Sequence, residues 1–426
     1  MKATKSLLQV FQSRKMAALL FLGIASGLPY NLTRDTLSAW MTVEGVKLGA
    51  IGWFSLANLP ATLKFIWSPL LDRFVPPFLG RRRGWIVITQ VALIGAIAVM
   101  ALQKPTQALQ LLAINAIAIA FLSATQDIAL DAYRTDLLEE REVGAGVAIW
   151  VMGYRLALLI TGALALRWAE QFSWPVVYLF IAALMGIGLV SAIWAPEPVS
   201  EDAAGKPQTL LDAVYLPFLD FFQRLGIRQG VFILLFILLY KLGDYLVGNM
   251  TNPFLIQTGF SLATIGDIKG GMGLIATIVG GLVGGVVLSK IGVNRSLWLF
   301  GGLQAISNLA YFFLALAGKS YPLMVLTVNI ENFCVGLATA AFLGFLMNLC
   351  NPSFSATQYA LLSSLVGMSR DILASPGGEI AQRTGWQLYF FLTFAISLLG
   401  LVFLPLFAPW NSPSTPPSEG RGGNGE

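Results

Sequence analysis

The densest polar run in this chain is Ser123-Ala-Thr-Gln126-Asp127-Ile-Ala-Leu-Asp131-Ala-Tyr-Arg134, set in an otherwise apolar stretch. Asp127, Asp131 and Arg134 stand at i, i+4 and i+7, which places them on one helix face. A carboxylate there can load and release a proton as its surroundings alternate between a cation and water. Asp127 is the first candidate for such coupling and Glu331 the second. Lys64 reaches a depth similar to that of Asp127 and could pair with it; a static salt bridge is the plainer alternative. Arg155 and Lys241 fall some 16–18 Å into their stretches by helical rise, and Glu331 a comparable distance from the other side. Together with Arg34, Gln126 and Asp244 they form a candidate binding set. An arginine there can clamp a carboxylate bidentately. Lys241 and Asp244, at i and i+3, could instead simply neutralise each other. Asp72, Arg73, Asp131 and Arg134 lie nearer one end of their stretches and are candidate gate residues.

Other chemistries have no residues to carry them. The chain has no histidine. Cys334 and Cys350 sit on one predicted helix roughly 24 Å apart, too far to bridge. No metal site and no cofactor are expected. Gly318-Lys319-Ser320 looks like the end of a phosphate-binding loop, but Phe313 stands where the first glycine is required. No ATPase is expected.

The elements that must position these residues are membrane helices. The 426 residues are 56% hydrophobic and 12% charged, with a mean hydropathy of +0.72. Soluble domains carry about 25% charged residues. Apolar stretches near the ~20 residues needed to cross a bilayer recur throughout. Twelve spans are expected, near 17–41, 48–71, 85–103, 108–135, 144–168, 173–196, 229–253, 262–289, 296–318, 322–349, 355–380 and 386–410. A charge at the bilayer centre costs about 2.5–3.5 kcal/mol, so charged spans must face protein or water. Residues 85–103, 173–196, 296–318 and 386–410 carry no Asp, Glu, Lys or Arg at all. Every third span therefore reads as an outer helix. The others hold the interior charges, among them Arg34, Asp35, Lys269, Arg370 and Asp371.

Lys and Arg outnumber Asp and Glu by 27 to 22, and the surplus sits in short loops rather than in a nucleic-acid-binding patch. Lys2, Lys5, Arg14, Lys15, Arg73, Arg81–Arg83, Arg141, Lys206, Arg224, Arg228, Lys290 and Arg295 fall on one side, which places both termini in the cytoplasm. Residues 197–228 form the longest polar interruption and divide the chain into an N-terminal half, 1–196, and a C-terminal half, 229–410. Within this linker, 210–226 has the spacing of an amphipathic helix lying along the membrane surface. The Pro-, Ser-, Gly- and Glu-rich stretch 411–426 is expected to be a disordered cytoplasmic tail.

The halves repeat. Gly45-Val-Lys-Leu48-Gly-Ala-Ile51-Gly52 and Gly259-Phe-Ser-Leu262-Ala-Thr-Ile265-Gly266 open the second and eighth spans 214 residues apart. Leu28 meets Leu242, Leu32 meets Leu246 and Arg81 meets Arg295 at the same offset. Parallel six-helix halves with a site at their interface are a transporter plan. Gly280, Gly281, Gly284 and Gly285 predict close helix packing. Gly23, Gly27 and Pro29 predict a packing kink in the first span, whose freed carbonyls could alternatively line a cavity.

Asp72-Arg73 with Gly80-Arg81-Arg82-Arg83, and Gly285-Val-Val-Leu-Ser289-Lys290-Ile-Gly292-Val-Asn-Arg295, resemble the loop signature of the major facilitator superfamily. Residues 74–79 interrupt the first copy. SATQDIALDAYRTDLL (123–138), GYRLALL (153–159), LLYKLGDYLVGNMTNPFL (238–255) and FLGFLMNLCNPSFSATQYALLSSL (342–365) are similar to the AmpG-like muropeptide permeases of that superfamily, relatives of acetyl-coenzyme A transporters. The resemblance covers nearly all of 17–408; some members carry two further C-terminal spans. It implies an all-α, twelve-helix facilitator fold in the inner membrane, working as a monomer in the lipid bilayer. It also implies alternating access and import of an amino sugar–peptide with protons. A carrier of coenzyme A thioesters or other anionic amphiphiles, and an intramembrane transferase or hydrolase of cell-wall intermediates, are the alternatives.

Overall fold

The computed structural model describes residues 13–139, 142–197, 219–351 and 355–408. The expected tail and most of the expected amphipathic segment lie outside these residues. The described backbone is helical almost throughout, as a chain in hydrocarbon must be to satisfy its own amide groups. Nine described segments are long and apolar enough to cross a membrane. One of them, Leu262–Ala317, is 56 residues long and turns at Gly292, where φ is 78°. At 1.5 Å per residue a straight helix of that length would measure about 84 Å, so it crosses twice. The remaining two crossings, 48–73 and 355–384, are broken helices. The described helices thus accommodate the twelve expected spans, numbered below in chain order. The near face is the one at which residue 14 enters, and the far face is opposite.

Spans three, six, nine and twelve carry no charge, and each turns large apolar side chains outward: Val91 and Val99, Phe180 and Val190, Ile306 and Phe313, Phe391 and Val402.

The 214-residue repeat has a structural counterpart. Gly45 and Gly259 both adopt positive φ, 80° and 93°, ending the first and seventh spans where a side chain would be strained. Leu32 and Leu246 offer their carbonyls to Tyr178 and Tyr389, whose hydroxyls donate at 3.1 and 2.6 Å. Gly52 lies against Gly378 of the eleventh span, and Gly266 against Ala163 of the fifth. A Cβ at either glycine would strike backbone.

Small residues set the other close crossings. Gly280 and Gly284 lie on Phe333 and Leu337 of the tenth span, as their spacing predicts, whereas Gly281 and Gly285 face open space. Gly23, Gly27 and Gly153 bring the first and fifth spans together. The first span bends later than expected. Helix Arg14–Leu32 runs through Pro29 and breaks at Arg34, where φ is −121° and ψ −101°. Pro29 has no N–H for the carbonyl four residues earlier. Gln126 supplies the missing donor, its Nε2 donating to the Ala25 carbonyl at 3.3 Å.

Four of the helices that meet across the halves carry a non-α turn. The second span has a tight 3-10 turn at Phe54–Asn58, and the fifth, eighth and eleventh have wide π turns at Ile160–Leu164, Gly266–Met272 and Ser369–Leu373. Such wide turns recur at functional sites because they redirect side chains within a helix.

Candidate functional site

Polar contacts seal the halves together on the far side and at mid-depth. Arg167 pairs with Asp267 at 2.6 Å, and Glu170 accepts from the Ala263 amide at 2.7 Å. Lys269 Nζ reaches Asp35 at 3.0 Å and the Asn252 side-chain oxygen at 2.9 Å, while Asn252 donates to the Asp35 carbonyl. The Gly49 amide donates to Gln382 at 3.1 Å.

Below this seal, Asp371 is the meeting point of the two halves. Its fully buried carboxylate accepts from Arg34 at 2.8 Å, from Arg370 Nε at 3.0 Å and from Thr62 at 2.9 Å. The π turn that contains Arg370 and Asp371 turns both neighbours to one partner set. The Arg34 guanidinium also lies 5.0 Å from the Tyr30 ring centre, and Tyr30 packs on Tyr154 at 6.3 Å between ring centres. Two arginines on one buried carboxylate leave an excess positive charge at mid-depth.

From Arg370 a cavity of about 420 Å³ runs between the second, fourth, tenth and eleventh spans toward the near face. Lys64, Asp131 and Thr62 supply polar walls, and Phe342 and Leu346 apolar ones. The space is amphipathic, with two cations against one carboxylate. Farther in lies a second cavity of about 160 Å³, lined by residues of the first, fifth, seventh, eighth and tenth spans.

The residues expected from the sequence divide into three groups. Arg34 stands at the interface. Arg155 is half-buried, on the stripe of the fifth span that continues through Leu158 and Gly162 into the smaller cavity. Among the described residues it has no ion-pair partner. Lys241, Asp244 and Glu331 gather inside the C-terminal half, and none of them lines either cavity. Lys241 and Asp244 pair at 3.0 Å with both side chains about 5% exposed, at the point where the seventh helix breaks. Lys241 also reaches the Thr339 hydroxyl at 3.3 Å, and Glu331 accepts from Asn332 at 3.0 Å. Gln126 of the fourth span is fully buried against the first span, away from the cavities.

The expected Lys64–Asp127 approach resolves differently. Lys64 pairs with Asp131 at 3.5 Å, and Asp131 also accepts from Arg134 at 3.2 Å. Asp127 accepts instead from the Ser26 hydroxyl at 2.7 Å. Asp127 and Glu331 are thus intramembrane carboxylates without an ion pair among the described residues. Of the expected gate, Arg73 is exposed, the Asp72 side chain lies outside the described residues, and Arg134 covers the Trp150 ring at 5.1 Å. Asp131 and Arg134 therefore bind within the N-terminal half. The sequence reading omitted Asp371, Arg370, Asp35 and Lys269 from the site. Their signal was charge inside a span, but their partners are remote in sequence.

Two pseudo-symmetric helical halves around a mid-depth charged interface define a multi-pass membrane transporter. Residues 16–374 match the Major Facilitator Superfamily. The fold is similar to that of a bacterial homolog of the human lysosomal transporter Spinster in an inward-facing conformation (TM-score 0.74, 15% identity, 96% of this chain and 98% of that one). It is similar also to the xylose transporter XylE of E. coli (TM-score 0.71, 12% identity, 94% and 96%). In sequence the chain is 45% identical over 399 residues to the anhydromuropeptide permease of Escherichia coli K12, covering 93% of this chain and 80% of that one. The chain belongs to the major facilitator superfamily and, within it, to the AmpG-like muropeptide permeases.

Proposed function

We propose that the protein imports anhydromuropeptides across the inner membrane by alternating access, as a monomer in the lipid bilayer, with both termini cytoplasmic. The 45% identity to a permease of that cargo, extending over 93% of the chain, carries this reading. The interface cavity suits the cargo. Arg370 and Lys64 offer cations to a peptide's carboxylates, and Phe342 and Leu346 offer apolar walls to its aliphatic parts. With the near face cytoplasmic, the conformation is inward-open: sealed at Asp35–Lys269 and Arg167–Asp267, and open below Arg370.

Protons drive accumulation, and Asp127 and Glu331 are the carboxylates that carry them. Among the described residues each has one neutral hydrogen-bond donor and no ion pair, so either can take a proton without leaving a cation unpaired. The division into halves at 1–196 and 229–410, joined by an inner-surface linker, follows from the repeat. The test is uptake by cells lacking their own muropeptide permease. Expression of this protein should restore cytoplasmic accumulation of labelled anhydromuropeptide. Expression at the membrane without accumulation refutes the reading.

A further inference from the structure

The smaller interface cavity, about 160 Å³, has walls unlike those of the larger one. Its one ion pair, Asp35–Lys269, is internally neutral, and Lys269 is also held by Asn252. Asn252 and Asn332 have their amides engaged, the latter by Thr277 and Glu331. Asn31 is the exception. It is 9% exposed, and its side-chain amide has no hydrogen-bond partner among the described residues. Its Nδ2 stands across from Gly162, 3.5 Å from where a Cβ on that glycine would lie. A primary amide with no partner on the wall of a neutral pocket keeps both its N–H donors and its carbonyl acceptor open to a ligand.

We infer that this pocket, through the Asn31 amide, binds the acetamido group of the cargo's amino sugar while the peptide carboxylates go to the arginine-lined cavity. The inference rests on the muropeptide reading above. A secondary amide is the complement of a primary one: its carbonyl accepts from Nδ2–H, and its N–H donates to Oδ1. A peptide bond offers the same pair of groups. The pocket's neutrality favours the sugar, because an acidic peptide is drawn to Arg370 and Lys64 of the larger cavity instead. Leu158 and Leu274 supply apolar surface for the C–H faces of a sugar ring.

The test compares uptake, by proteoliposomes of the full chain, of labelled anhydromuropeptide and of an analogue with hydroxyls replacing the acetamido groups. Wild-type protein should prefer the acetamido form about tenfold or more, as sites that hydrogen-bond a substrate group reject analogues lacking it. Asn31→Ala should bring the ratio near unity while keeping uptake of the hydroxyl analogue. Gly162→Ala, whose added methyl meets its neighbours at ordinary contact distance, should lower the ratio by occupying the pocket. A wild-type ratio near unity overturns the inference. So does a ratio unchanged in both variants, or an equal loss of both substrates in both. Wild-type vesicles that take up neither compound overturn the muropeptide reading itself.

Discussion

Asp371 is the residue on which the two halves depend most directly. It neutralises part of the charge on Arg34 and Arg370 and holds Thr62, and its own side chain is fully buried. Removing the charged partner of a buried pair costs about 3–5 kcal/mol, because the remaining cation stays unpaired. Asp371→Asn should therefore lower the thermal unfolding midpoint in detergent and abolish uptake, whereas Asp267→Asn, at an exposed pair, should leave the midpoint nearly unchanged. A thermal scan of the two variants side by side decides this. Asp127 has a different role in this account. Asp127→Asn keeps a hydrogen-bond partner for Ser26 but cannot titrate, so it should lose gradient-driven accumulation and retain counterflow exchange. Accumulation against a gradient by this variant would move the coupling to Glu331. The sequence made these carboxylates visible as charges in apolar stretches. It did not show which of them are paired, since Arg34 and Asp371 are 337 residues apart and Lys269 and Asp35 are 234 apart. Local spacing encodes the Lys241–Asp244 and Asp131–Arg134 pairs, and those were the pairs a reader could anticipate.

Among the helices, the second, fifth, eighth and eleventh carry both the interface and the irregular turns. Gly52 and Gly378 let the second and eleventh spans touch backbone to backbone on the far side, and Gly266 does the same against the fifth. A side chain at Gly378 would strike the Leu48 carbonyl. Overpacking of this kind costs about 1–3 kcal/mol, enough to shift a balanced equilibrium roughly 5- to 150-fold. Gly378→Val should thus favour the outward-open state. A reporter cysteine at Ser38, 8% exposed here, should react faster with a far-side thiol reagent when Cys334 and Cys350 are replaced by serine. Unchanged labelling would mean that the far side does not close at this crossing. The outer helices and the 214-residue repeat were legible because they depend on composition and register alone. The break at Arg34 was not, since Pro29 marked the wrong place. Gln126 on another helix repairs what the proline leaves open, and the chain continues helical for another turn.

At the scale of the whole molecule, the seal on one side and the cavity on the other make one half of a transport cycle. The reverse state must open Asp35–Lys269 and Arg167–Asp267 and close the space around Lys64, Asp131 and Leu346. Lys269→Ala should weaken the far-side seal, raise far-side access at Ser38 and slow net uptake. The exchanged pair Asp35→Lys with Lys269→Asp should recover part of the seal, measured by the same labelling, if the pair acts as a lock. No recovery would assign Lys269 to substrate rather than to closure. The account as a whole is tested most directly by purified protein in sealed proteoliposomes given labelled anhydromuropeptide, with and without an inward proton gradient. It predicts accumulation above the external concentration when the gradient is imposed, and only slow equilibration when a protonophore removes it. Equal uptake in both conditions, or none in either, would contradict it.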